Sequence, residues 1–110
     1  MANTNTSKSD KSSVLQPSLP AELYLDPVVY QNELRKIWYR QWIYAGRTDQ
    51  LPSPGDYMLH TIGNQSIIVT RNEKGRIGAF HNTCRHRGSA LCQAQQGQFK
   101  QGQIICPYHR

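Results

Sequence analysis

Acidic residues run out two-thirds of the way along this chain. After Glu73 there is no Asp or Glu, while Lys74, Arg76, Arg85, Arg87, Lys100 and Arg110 follow, so the net charge of +6 falls entirely in the last third. That absence removes paired carboxylates, and any carboxylate to orient a histidine base, from the part of the chain richest in reactive side chains. Cysteine is scarce, with Cys84, Cys92 and Cys106 only, which argues against a disulfide scaffold and for a reducing, cytoplasmic setting. No apolar run is long enough for a membrane span or a signal-peptide core. A basic helix and an aromatic-interleaved basic patch are both missing, so no nucleic-acid partner is expected. No internal repeat is visible.

At 110 residues the chain has room for one domain with a modest core. Residues 1–20 are polar and nearly free of large apolar groups, and are expected to form a disordered tail. Residues 21–41 read as a helical lead-in. Asp26-Pro27 supplies an N-cap and first helical position, with a helix running to about Arg40. Tyr30, Leu34, Ile37 and Trp38 share one helical face, expected to dock on a sheet. From Trp42 the pattern changes to short strands split by turns. Candidate strands are 42–46, 56–62, 66–70 and 76–81, with turns at 52–55, Gly63-Asn64 and 72–75. A glutamine-rich stretch from Gln93 to Gln103 is expected to be a hairpin or loop. The whole reads as mainly β: a small antiparallel fold with one N-terminal helix.

Chemistry concentrates in two boxes, Cys84-Arg85-His86-Arg87-Gly88 and Cys106-Pro107-Tyr108-His109. Each pairs one thiol with one imidazole at close spacing. Two soft sulfur donors and two borderline nitrogen donors on two loops describe a metal centre. A zinc site can use such a set, though small zinc sites usually read Cys-x-x-Cys. A mixed-ligand [2Fe–2S] cluster needs it, because two thiolates hold one iron and two histidines the other. A Cys84–His86 nucleophilic dyad leaves the second box unexplained. His60 and His81 fall in expected strands, and Cys92 reads as a small buried hydrophobe. Gly88 is expected to need a backbone conformation closed to other residues.

These boxes resemble those of Rieske-type non-haem iron oxygenases, in the large subunit. So do Trp42-Ile43-Tyr44-Ala45-Gly46-Arg47, Leu51-Pro52-Ser53-Pro54-Gly55-Asp56-Tyr57 and Ala79-Phe80-His81-Asn82-Thr83. The likeness covers roughly residues 26–110, with an inter-box stretch slightly longer than most members carry. It implies a small Rieske-type iron–sulfur fold over residues 42–110 with Cys84 and Cys106 on one iron and His86 and His109 on the other. It implies that the chain is a fragment, incomplete at the C-terminus and lacking the catalytic domain with its mononuclear Fe(II). No catalytic residue is assigned. Respiratory Rieske proteins carry a further cysteine in each box; here those places are Ser89 and Tyr108, which implies a cluster near the low end of the range, roughly −150 mV. Implied partners are a reductase or ferredoxin donor and neighbouring copies of the subunit, as a homotrimer, with no membrane. A stand-alone Rieske ferredoxin and a structural zinc-binding module are the other readings.

Overall fold

The computed structural model describes residues 15–108. Most of the expected polar tail, residues 1–14, and His109 and Arg110 lie outside the described residues. Residues 15–20 are exposed and carry no regular structure.

A four-residue helix, α1 (Glu22–Leu25), leads into α2 (Pro27–Glu33). The start of α2 follows from local chemistry. Asp26 Oδ1 accepts from the Val28 N–H at 2.8 Å, and Pro27 occupies the first turn, where its missing N–H is not needed. The helix does not continue to Arg40 as an α-helix. Leu34–Trp38 forms a wider π turn, with the Tyr39 N–H donating to the Leu34 carbonyl at 2.9 Å. The extra residue in that turn breaks the helical face expected from spacing. Leu34 is buried, while Tyr30, Ile37 and Trp38 stay about half exposed. Leu34 and Tyr39 rest on the Gly63-Asn64 turn: a Cβ on Gly63 would meet Leu34 Cδ1 and Tyr39 Oη at 2.7 Å, and the Tyr39 hydroxyl donates to Asn64 Oδ1 at 3.0 Å.

The sheet has four antiparallel strands in the order β3-β2-β1-β4. These are β1 (Asp56–Ile62), β2 (Gln65–Arg71), β3 (Ile77–His81) and β4 (Gln96–Gln98). Three of them match expectation to within a residue. The β1–β2 hairpin closes on Gly63 with φ 57°, the positive value that the first central position of a II′ turn requires. In the next connection Asn72 Oδ1 accepts from the Lys74 and Arg76 N–H groups, both at 2.9 Å, so one side chain builds the turn.

Two further expectations fail. Residues 42–46 form no strand, and Trp42 is fully exposed. The aromatic run suits a pleated surface, but strand propensity is realised only beside a free partner. The outer side of β1 is taken by β4, and residues 43 and 45 instead pass across the sheet face. The glutamine-rich stretch, conversely, supplies β4. Gln96–Gln98 pairs with Asp56–Met58, and Gly97 is required there because a Cβ would stand 2.8 Å from the Tyr57 ring.

The core is small. Ile68 and Leu51 are the largest fully buried side chains, joined by Leu34, Val69, Cys84 and Cys92. Arg71 ties the 3-10 turn at Thr48–Gln50 to the sheet, its guanidinium donating to the carbonyls of Leu51, Gly75 and Thr48.

Candidate metal centre

The first box sits where β3 runs out. The chain leaves His81, passes the buried Asn82 and turns back on itself. The Gly88 N–H donates to the Cys84 carbonyl at 3.0 Å, and the Cys84 N–H to the Ser89 carbonyl at 2.7 Å. Gly88 takes φ 70° with open space around its Cβ position, so glycine is needed there for backbone conformation, not for room. The result is a tight loop presenting Cys84 and His86 on one side, with Cys84 Sγ 3.9 Å from His86 Nδ1.

The second box meets the first. Cys84, His86 and Cys106 line one open cavity of about 620 Å³, together with Phe80, Leu91 and Ile104. Arg87 of the first loop lies over the Tyr108 ring of the second, 5.5 Å from its centroid, within cation–π range. Three of the four residues singled out by sequence therefore converge, and His109 lies outside the described residues. Among the described residues no group of three or more Cys, His, Asp or Glu side chains is arranged to hold a single ion. A two-iron cluster makes a different demand, since its four protein ligands divide two and two.

The donor chemistry fits such a group. The backbone N–H groups of His86 and Arg87, then the Cys106 thiol, bring the Cys84 thiol down from 9.0 to about 7, against the opposing effect of burial. Metal ligation requires thiolate, so a site that already favours thiolate is suited to soft metal. Cys92 behaves oppositely: burial pushes its thiol up, only partly offset by a hydrogen bond from Tyr57. It is a core residue beside the centre and no part of its lining.

These opposite shifts predict how the metal-free chain responds to pH. Cys84 has a folded value below its ordinary one, so its stabilising contribution is complete above pH 9 and is lost as pH falls through about 7. Cys92 has a raised folded value, so its contribution holds below pH 9 and is lost above that. Thermal melts of the metal-free chain should therefore show a midpoint rising from pH 7 to 9 and falling at higher pH. In Cys84→Ser the rise should vanish while the high-pH fall remains.

His60 and His81 are placed on the same sheet face, both in register with Ile67. His81 borders the cavity from the end of β3. Asn82 is the residue whose part was not legible in advance. Only its position, a small amide between an apolar strand and a thiol, hinted at it.

A small antiparallel β domain that presents thiols and imidazole from two adjoining loops belongs to the class of metal-cluster domains. Residues 41–110 match the Rieske [2Fe-2S] domain, and the chain belongs to that family. Among relatives, the oxygenase subunit of glycine betaine monooxygenase from Chromohalobacter salexigens is 45% identical over 93 residues, 84% of this chain and 20% of that protein. Biphenyl 2,3-dioxygenase subunit alpha from Rhodococcus jostii is 37% identical over 91 residues, 83% of this chain and 19% of that one. Among solved structures, the apo form of the quaternary ammonium Rieske monooxygenase CntA has a TM-score of 0.76 at 30% identity, covering 84% of this chain and 26% of its own. The chain thus spans about a fifth of the length of the curated relatives it matches. No helix among the described residues is long and apolar enough to cross a membrane.

Proposed function

We propose that this chain is the cluster-bearing, electron-relay domain of a Rieske oxygenase acting on a quaternary ammonium compound. The observation that carries the reading is the convergence of Cys84, His86 and Cys106 on one cavity, with the Cys84 thiol already brought to about 7. Cys84 and Cys106 would hold one iron as thiolates, and His86 and His109 the other. When bound, the cluster supplies one-electron transfer between a reductase or ferredoxin and the oxygenase's mononuclear Fe(II).

The chain's own residues then have definite tasks. Each histidine uses one ring nitrogen as ligand and keeps the other to hold a proton or to hydrogen-bond a neighbouring subunit. Phe80, Leu91 and Ile104 give the open cavity apolar walls beside the sulfur donors. Arg85 and Arg87 are exposed beside it, in a stretch without carboxylates, and supply positive charge for an acidic donor protein in a cytoplasmic setting. The glycine betaine relative, at 45% identity, supports the quaternary ammonium class.

The test is a visible absorption spectrum of chain produced with iron and sulfide, followed by EPR after dithionite reduction. Red-brown protein with a rhombic signal, and an average g below that of thiolate-only clusters, is the expected result. Colourless protein carrying one zinc per chain would overturn it.

A further inference from the structure

Asn82 is not among the converging donors, yet it holds more of the centre's scaffolding than any other side chain. It is 7% exposed and two residues ahead of Cys84. Its side-chain amide spends both its oxygen and its nitrogen on the far end of the same loop. Oδ1 accepts from the Leu91 N–H at 2.9 Å and the Cys92 N–H at 2.8 Å, and Nδ2 donates to the Cys92 carbonyl at 2.8 Å. Nδ2 also reaches Ser66 Oγ at 3.2 Å, while the Asn82 backbone N–H donates to the Ser66 carbonyl at 2.9 Å.

The side chain therefore works as one more rung of the sheet. A primary amide presents the same donor and acceptor as a peptide, so Asn82 pairs with both backbone groups of Cys92 as a neighbouring strand would. The loop from Cys84 to Cys92 is closed internally by the Cys84–Ser89 bond and anchored at its end by Asn82. What is anchored matters to the centre, because Leu91 is a wall of the cavity that Cys84, His86 and Cys106 share. Beyond Cys92 the chain runs on through β4 to Phe99, whose ring stacks on Tyr57 of β1 at 4.5 Å.

We infer that Asn82 is a positioning residue for the metal centre: by clamping Leu91 and Cys92 to β2 and β3 it fixes the first ligand loop and keeps the cavity wall in place. This rests on the cluster reading above and extends it to a residue that touches neither metal nor substrate. No residue of other chemistry reproduces the clamp. Aspartate keeps both acceptor contacts but sets a carboxylate against the Cys92 carbonyl, and alanine leaves two buried backbone groups of Cys92 and the part-buried Leu91 N–H unpaired.

The experiment compares the full chain, purified with its cluster, as wild type, Asn82→Ala, Asn82→Asp and Arg71→Met. Arg71 serves as a control because it ties down carbonyls remote from the centre. Two quantities are followed at a temperature where the variants are folded: bleaching by an iron chelator, and backbone hydrogen exchange at Leu91 and Cys92. Asn82→Ala should bleach and exchange at those amides about tenfold faster than wild type, with a broadened EPR signal from the cluster still bound. Asn82→Asp should fall between, and serves alone if the alanine variant does not fold. Arg71→Met should melt earlier yet bleach like wild type. Bleaching of the Asn82 variants at the wild-type rate would overturn the inference, as would equally fast bleaching of Arg71→Met. A wild-type chain that carries zinc in place of a cluster would sink the proposed function instead. The clamp is then judged by exchange alone, where unchanged rates at Leu91 and Cys92 in Asn82→Ala overturn it.

Discussion

Replacing Cys84 by serine should abolish cluster binding outright. The wild-type thiol is brought to about 7 by the His86 and Arg87 N–H groups and by Cys106, so thiolate is available at neutral pH. Serine puts a hard oxygen, protonated at any accessible pH, where soft iron–sulfur chemistry wants sulfur. The loop itself should still close, because it is held by the Cys84 backbone N–H, which serine keeps. Iron and sulfide content per chain and visible absorption would check this, with loss of both expected. Full iron with an unchanged spectrum would show that Cys84 is not a ligand. Cys92→Ser is the matched comparison: its thiol lies in the core and outside the cavity lining, so that variant should keep its colour.

Ile68→Ala should unfold the chain at physiological temperature. Ile68 is 0% exposed in the middle of β2, flanked across the sheet by Leu59 and Phe80. Truncating a buried isoleucine to alanine typically costs about 2–5 kcal/mol. Small domains hold only about 5–15 kcal/mol in total, and this core has few other members, so the loss is a large fraction of the whole. Circular dichroism melts should show no cooperative transition above 37 °C. Trp42→Ala, at a fully exposed position, should melt like wild type. An unchanged melting temperature for Ile68→Ala would mean that the stabilising core lies elsewhere.

Much of the sheet could be read without coordinates because turns and alternation are local properties. Gly63-Asn64 and the Asn72–Gly75 segment mark hairpins through conformational demands that only a few residue types meet. The strands between them follow within a residue. The helix start was equally local, one aspartate and one proline. What failed was non-local. The π turn at Leu34–Trp38 is imposed by the packing of Leu34 and Tyr39 on the hairpin turn, and spacing on a helical wheel carries no sign of it. Residues 42–46 have strand-forming side chains yet cross the sheet face unpaired, while Gln96–Gln98 lacks them and pairs along β1.

The same division holds at the metal centre. The donor types, their pairing into two boxes, the concentration of positive charge around them and the glycine at position 88 were all readable from the residue order, since ligand chemistry, charge and backbone freedom belong to single residues and short spacings. Folding was needed to bring the two loops to one cavity, to shift Cys84 toward thiolate and Cys92 away from it, and to set the Asn82 amide against Leu91 and Cys92 at the far end of the loop. Each of those depends on which group comes to lie beside which, and neighbours distant in sequence are supplied by folding.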